Sequence, residues 1–380
     1  MAQELKSDVV VIGGGPVGMF AALELHGAGV GVQVYDAGRR RAMHSYALVL
    51  HADTLAMLAA GGLGDAIRNE GRPIAKLGLF DGGKRLGDIE LGTPVVVLPQ
   101  SKLEALLEAA LDKRGIKVHW DHRVQDIAPH AAGVKIGVAK LEKVSTGYPV
   151  AHTEVVVDKT FDVEASYIVA ADGYDSFVRR RLNISDTRMG KGQLFSVFQF
   201  ETTGDVPGDG RLMLEPQRVG AYWPLPGGHA RFSFPIDLES EHHADDTRLR
   251  QLIAERAPWF KGHVGRLDWT AVGLFERKLA TSFGSGRVWL AGDAAHLTGP
   301  IGAQSMNVGL REAKELASAI DSAGNGRDAS ALERYGASRM SEWNALFAPE
   351  PRAGDPRSQI KPCLPASGNE LAEMLARVTL

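Results

Sequence analysis

The stretch from Asp8 to Asp36 limits the possible folds more than any other part of the chain. Asp8-Val9-Val10-Val11-Ile12 is a short β-branched run that enters Gly13-Gly14-Gly15-Pro16-Val17-Gly18 and then an apolar, helix-forming stretch reaching His26. The order predicts strand, tight turn and helix. Gly13, Gly15 and Gly18 fill Gly-x-Gly-x-x-Gly, in which one glycine makes the turn, one admits a pyrophosphate and one lets helix and strand pack closely. A helix opening at Pro16 and Val17 would present unpaired N–H groups and a partial positive charge to an anion. A second apolar run, Val30 to Tyr35, ends in Asp36, close to the roughly 20-residue spacing at which an acid grips ribose hydroxyls. Three spaced glycines alone predict only a tight turn; with strand, helix and acid around them they predict an adenine dinucleotide. A carboxylate at Asp36 would repel a 2′-phosphate, so FAD or NAD fits better than NADP.

Length and charge fit one large or two closely joined domains. The 380 residues carry a formal charge of −3, and 44% are hydrophobic. The run from Val9 to Ile12 is too short to span a membrane, and no basic region with a long apolar core opens the chain, so a cytoplasmic protein is expected. Cys363 is the only cysteine, which excludes an intrachain disulfide and a thiolate metal cage. No basic tract predicts nucleic-acid binding.

After Asp36 comes a polar loop with Arg39, Arg40 and Arg41, readable as solvated surface or as a contact to the cofactor's phosphates, for which Arg41 is the candidate. Leu50 to Leu63 has helical spacing and closes at Gly61-Gly62. Asp81-Gly82-Gly83 predicts a hairpin between Ile74 and Leu98. Ser101 with Glu104 reads as a capping box for a helix to about Arg114. Ile116 to Trp120 predicts a strand of the parallel sheet, with Val124 following near the adenine. A polar ribbon from Val134 to Val163 precedes a buried strand, Tyr167 to Ala171, that exits at Asp172-Gly173. A second buried strand, Gly286 to Ala291, exits at Gly292-Asp293, followed by Pro300 to Asn307 and a long amphipathic helix. Between them, Phe195–Phe200, Arg211–Leu214, Gly220–Trp223 and His229–Pro235 alternate as antiparallel strands. His242, His243, Asp245 and Asp246 match no ligand spacing and read as a solvated loop, so no metal site is predicted. Pro349 to Pro365 reads as an extended surface segment, and Glu370 to Val378 as a short helix.

The three glycine-bearing motifs, in this order, resemble those of the class A flavoprotein monooxygenases, the family of para-hydroxybenzoate hydroxylase; the resemblance spans about residues 7 to 345. It implies an α/β protein with a Rossmann-like, GR2-type, mostly parallel FAD-binding domain and an antiparallel-sheet substrate domain. The expected division is 1–75, 98–183 and 278–348 for FAD, 76–97 and 184–277 for substrate, and 349–380 as a tail. The resemblance gives Asp36 to the adenosine ribose and Asp172, in Asp-Gly-x-x-Ser-x-x-Arg with Gly173, Ser176 and Arg179, to FAD and NAD(P)H. It gives Gly292 and Asp293 to the ribityl chain. Gln100 falls near the flavin phosphates, and Pro300, Gly302, Ala303, Gln304, Ser305, Met306 and Asn307 around the isoalloxazine. Ala303 and Ser305 replace glycines common in the family, and Ser305 is read either as a flavin contact or as a helix cap. A helix starting there would aim its positive end at the flavin N1–C2=O edge.

The implied activity is hydroxylation of an aromatic or similarly electron-rich small molecule, using NAD(P)H and O2 through a flavin C4a-hydroperoxide, by a monomer or homodimer. A reductase or oxidase of the same fold, or a flavin-binding protein without turnover, are the alternatives. Tyr222, Trp223 and Arg231 are the candidate substrate contacts, and the sequence singles out no catalytic acid or base. No second Gly-x-Gly-x-x-Gly follows, so NAD(P)H would bind transiently rather than in its own Rossmann domain.

Overall fold

The computed structural model describes residues 5–40, 47–147, 152–216, 218–237, 244–348 and 356–378. At the centre of the first sheet is Leu5–Ile12. It lies parallel to Val32–Tyr35 on one side and to the end of His152–Ala170 on the other; Val118–His119 and Val288–Leu290 extend the parallel array. Val9, Val10, Val11, Ile168, Val169 and Ala170 are fully buried. A sheet covered on both faces explains why these strands read as unbroken apolar runs rather than as alternation. Their carboxyl ends share one edge, and the exits are tied to each other. Gly13 N–H donates to the Tyr35 carbonyl at 2.8 Å, Ala171 N–H to Ile12 at 2.8 Å and Ala291 N–H to Ala170 at 2.9 Å. Ligands of open α/β sheets collect outside such an edge.

The predicted ribbon and the buried strand after it are one continuous element. The first part of His152–Ala170 pairs antiparallel with Val134–Thr146, which pairs with His122–Pro129, before the same strand enters the parallel core. The expected strand at 116–120 is shorter, Val118–His119.

The second sheet runs in the order His263–Phe275, Gln193–Thr203, His229–Ile236, Arg218–Leu225, Gly210–Glu215, Arg72–Asp81, Lys84–Val97 and Val49–Leu50. The 72–97 hairpin therefore joins strands more than a hundred residues later, and its junction with Gly210–Glu215 is parallel. Both faces of this sheet are apolar. Phe198, Phe200, Tyr222, Phe232 and Phe234 form one face with Phe260, under the helix Asp246–Arg256. Phe195, Val197 and Trp223 form the other, with Ile301, Ile360 and Leu364.

Three sequence expectations are corrected. The helix Gln100–Asp112 starts one residue before Ser101, follows Pro99, and has no side-chain cap. The described part of the proline-rich segment is not spread over the surface: residues 356–360 are helical, and Ile360, Cys363, Leu364 and Ala366 are buried against the second sheet and the 301–303 loop, while residues 349–355 lie outside the described residues. Four apolar side chains in that core outweigh the lack of regular hydrogen bonding that proline imposes. The histidine- and acid-rich stretch ends in a cap, Asp245 Oδ1 accepting from Arg248 N–H at 2.8 Å; His242 and His243 lie outside the described residues. No helix among the described residues is long and apolar enough to cross a membrane.

Candidate cofactor and substrate site

The site begins at the glycine turn, where the three motif glycines divide by function. Gly13 has φ +114°, and a Cβ there would lie 2.1 Å from the Ala171 carbonyl oxygen; one at Gly18 would lie 2.0 Å from the Gly13 carbonyl oxygen. Those two glycines are required by the fold. Gly15 is different: its backbone is extended, and a Cβ would meet nothing within 4 Å. The space above Gly15 faces the first turn of the helix Pro16–Gly27, which has no side-chain cap and no acidic residue. Uncapped N–H groups with a helix dipole behind them form an anion seat.

Asp36 lies beside that seat. Its Oδ2 accepts from Gly14 N–H at 2.6 Å and its Oδ1 from Gly38 N–H at 2.6 Å. The carboxylate thus braces the turn, and each oxygen keeps a lone pair for another donor. Trp120, which no sequence motif singles out as a site residue, packs its ring within 3.0 Å of where a Gly14 Cβ would be and anchors its Nε1–H on Glu108 at 2.8 Å. Its only sequence signal was an aromatic at the exit of a parallel strand.

From the turn the site continues without a gap. A Cβ on Gly292 would lie 2.9 Å from Val17 Cγ2, and one on Gly309 would lie 2.8 Å from the same atom. The first helix, the Gly292–Ala294 turn and the long helix Gln304–Gly324 are therefore locked together around Val17. Ser305 Oγ donates to Asp293 Oδ1 at 2.5 Å, which brings the start of the long helix against the turn. Asp293 is reachable by solvent at the floor of this ledge, although protein surrounds it on its other sides. Burial raises its carboxyl above the usual range against the lowering hydrogen bond from Ser305, a rise that the group's exposure to solvent limits.

Ala303, which precedes the long helix, supplies no side-chain cap, and Ser305 lies inside the first turn, which corrects the capping reading of Ser305; Ser305 N–H itself donates to the Thr298 hydroxyl at 3.3 Å. Ala303 adopts φ +50°. A left-handed alanine costs roughly 1–2 kcal/mol, partly offset by about 0.8 kcal/mol from burying its methyl, so alanine is accommodated without redrawing the loop.

Most other side chains of that loop point into the protein. Gln304 Nε2 donates to the carbonyls of Lys361, Leu364 and Ala366 at 3.1–3.3 Å. Asn307 Oδ1 accepts from His51 N–H, and its Nδ2 donates to Val49 and Ala303, each at 2.8 Å. Met306 is buried. A Cβ on Gly302 would meet the Pro362 and Leu364 carbonyl oxygens at 2.8 Å. Gly302, Ala303, Gln304, Met306 and Asn307 can therefore offer a ligand backbone groups, while Pro300 is half-exposed and the Ser305 hydroxyl turns toward Asp293 and His296.

The Asp-Gly motif works as a corner. Asp172 Oδ1 accepts from the Ser176 hydroxyl at 2.6 Å and Oδ2 from Val178 N–H at 3.0 Å, while Arg179 pairs with Asp186. Burial raises the Asp172 carboxyl despite these bonds. Gln100 donates to Glu104 at 2.8 Å. Val124 is buried in the strand His122–Pro129. Arg41 lies outside the described residues.

Beyond Pro300 opens a cleft of about 910 Å³ between the second sheet, Gly299–Ile301 and the 358–363 segment. The predicted substrate contacts do not line it. Tyr222 is buried in the aromatic face with its hydroxyl on the Pro207 carbonyl at 3.1 Å, Trp223 is in the opposite core, and Arg231 is buried between Gln199 and the Trp269 ring. Alternation on a sheet with two apolar faces left no polar face for them to occupy. The cleft is lined instead by Gln193, Phe195, Arg218, Arg277 and Cys363. Arg218 is paired with Asp237 at 2.6 Å. Arg277 is half-buried and has no carboxylate partner among the described residues; burial disfavours its charge, with Cys363 beside it. Burial pushes the Cys363 thiol up to about 12, so it is a neutral wall.

The family model described as an FAD binding domain matches residues 6–347. Among curated relatives, a 3-(3-hydroxy-phenyl)propionate/3-hydroxycinnamic acid hydroxylase from Mycolicibacterium smegmatis is 28% identical over 352 residues, which is 90% of this chain and 59% of the relative. A rifampicin monooxygenase from Streptomyces venezuelae is 27% identical over 81% of this chain and 63% of its own length. The chain thus spans about three fifths of the curated relatives it matches. The crystal structure of a p-nitrophenol 4-monooxygenase from Pseudomonas putida aligns with a TM-score of 0.75 at 21% identity, covering 98% of this chain and 94% of that one, a likeness of fold.

Proposed function

We propose, from the premise that this chain belongs to the family of FAD-binding domains, that it is an FAD-dependent monooxygenase acting on a small aromatic molecule with NAD(P)H and O2. The observation that carries the reading is the succession of contacts from the Gly15 turn through Val17 to Gly292 and from Asp293 to Ser305, with the second-sheet cleft opening at Pro300. Its shape suits an extended dinucleotide whose reactive ring is presented to a separate substrate chamber. The cradle fits FAD: the space a Gly15 Cβ would fill is open, the helix Pro16–Gly27 opens beside it without a side-chain cap, and the helix Gln304–Gly324 starts further along the path.

On this reading the first helix holds the pyrophosphate, Asp36 the adenosine ribose, Asp293 the ribityl hydroxyls, and the 304–324 helix the N1–C2=O edge of the ring. When bound, FAD supplies hydride acceptance from NAD(P)H and transfer of one oxygen atom from O2 to the substrate. The chain's own contribution is to place the substrate, exclude water and stabilise negative charge at the start of the long helix. A half-buried cation with no carboxylate partner among the described residues favours an anion, so Arg277 is the residue we assign to a carboxylate or phenolate of the substrate.

The direct test is a flavin spectrum of the purified protein, followed by NAD(P)H oxidation in the presence of aromatic acids and neutral phenols. Substrate-stimulated oxidation with a hydroxylated product is expected. NAD(P)H consumption that yields only peroxide, whichever aromatic is added, would favour the oxidase alternative. Arg277→Met should weaken binding of an aromatic acid on the order of 10–100-fold, as for loss of a charged hydrogen bond, with little effect on a neutral phenol of similar size. Equal losses for both ligands would remove Arg277 from anion recognition, and a loss confined to NAD(P)H would reassign it to the nicotinamide nucleotide.

A further inference from the structure

His296 and Glu312 have no exposed side-chain surface and play no part in the site described above. The imidazole stacks on Trp343 at 3.8 Å between ring centroids. Glu312 Oε1 accepts from Trp343 Nε1–H at 2.7 Å, and its Oε2 from Gly292 N–H at 2.8 Å. Burial alone would raise this carboxyl, but the charge and hydrogen bond of His296, with the Trp343 and Gly292 bonds, outweigh it and hold Glu312 below the usual range. A carboxylate there fixes His296 Nε2–H as the donor across their 2.7 Å contact.

The other ring nitrogen, Nδ1, lies 3.2 Å from Ser305 Oγ, which is 2.5 Å from Asp293 Oδ1. A hydroxyl has one proton and cannot donate to both neighbours. Its remaining acceptor, the His296 carbonyl, is at 3.3 Å. Two proton arrangements satisfy every group. In one, the Asp293 carboxylate accepts from Ser305, which accepts from Nδ1–H of a doubly protonated imidazole. In the other, a protonated Asp293 donates to Ser305, which donates to a bare Nδ1.

We propose that Asp293, Ser305 and His296 form a proton relay linking the floor of the cofactor ledge to a buried imidazole, with Ser305 as the positioning residue that couples its ends. In the transfer, the Asp293 O–H bond breaks as a Ser305 O–H bond forms, while the original Ser305 O–H bond breaks as Nδ1–H forms. Negative charge appears on Asp293 as positive charge appears on His296, so net charge is conserved. A negative ligand group arriving beside Asp293 draws the proton to Asp293, and its departure returns it. The other titratable groups around the pair are fixed. Tyr335 donates to the Leu290 carbonyl at 2.8 Å and is kept neutral by burial, and Arg339 is paired with Glu315 and Glu342. None of this depends on which reaction the ledge serves.

The test uses the full chain labelled with 15N at histidine, with FAD bound and after its removal, and reads the two His296 nitrogens by NMR; His296→Gln identifies their signals. Nε2 should read as protonated, and Nδ1 should resonate between its bare and protonated positions. Asp293→Asn, which cannot release the proton, should move Nδ1 to the bare position. Ser305→Ala should abolish that response, so that adding Asp293→Asn to it changes nothing, and Ser305→Thr should restore it. The relay is overturned if Nδ1 is the same in the parent and in Asp293→Asn, or if the response survives in Ser305→Ala. Should Ser305→Ala not fold, the Asp293→Asn and Ser305→Thr spectra decide.

Discussion

Replacing Gly15 with valine should give a folded protein that has lost FAD, its affinity falling by on the order of 100-fold or more, about 2.7 kcal/mol. The expectation rests on a separation within the motif. At Gly13 and Gly18 a side chain would collide with backbone at 2.0–2.1 Å, so substitution there attacks the fold. At Gly15 the backbone is extended, where any residue is comfortable, and a Cβ would meet open space. That space is what a pyrophosphate would need, so valine obstructs the ligand and spares the protein. The check is a melting curve of the FAD-free variant beside an FAD titration. Unfolded Gly15→Val protein, or a dissociation constant like the parent's, would show that the space has another purpose.

Glu312→Leu should be the most destabilising single change outside the glycine turn, by about 3–5 kcal/mol. The carboxylate receives three buried donors, from Gly292, Trp343 and His296, and leucine leaves all three without an acceptor. The pH dependence gives a second reading. Because the folded carboxyl lies below its ordinary value of 4.5, its contribution is fully present above that value and is lost as pH falls toward the folded value. The parent should therefore lose stability on the acid side more steeply than Glu312→Gln. Denaturant melts of both proteins at a series of acid pH values check this; parallel acid limbs would mean that the Glu312 carboxyl titrates in the folded protein as it does in the unfolded chain.

What the sequence disclosed followed the range of the interactions involved. The glycine turn, Asp36 and the three strand exits are local patterns in which neighbouring residues fix one another, and they were readable from spacing. The hairpin was also readable, but its place beside Gly210–Glu215 was not, because pairing across such a separation leaves no local signal. Tyr222, Trp223 and Arg231 were reasonable choices on a sheet with one polar face, and this sheet has two apolar ones. Arg277 and Cys363 are 86 positions apart in sequence and share one cleft wall, a relation only the folded chain reveals. Ser305 could be flagged as unusual, yet its bond to Asp293 and its contact with His296 depend on how the long helix is docked against Val17.

The clamp of Gln304 on the 361–366 segment also sets a timetable for the chain on the ribosome. Gln304 and the Ala366 carbonyl are 62 positions apart, on the order of 3–12 s of translation. The glycine turn could form early, with its parallel neighbour Val32–Tyr35, but the loop proposed to receive the flavin ring lacks its backing until residues 361–366 have emerged. A nascent chain would pass through an interval in which it could grip a nucleotide but not seat the ring. Ribosome-arrested chains stalled before Lys361 should accordingly bind ADP while failing to quench flavin fluorescence, and chains stalled far enough past Ala366 for it to clear the ribosome should do both.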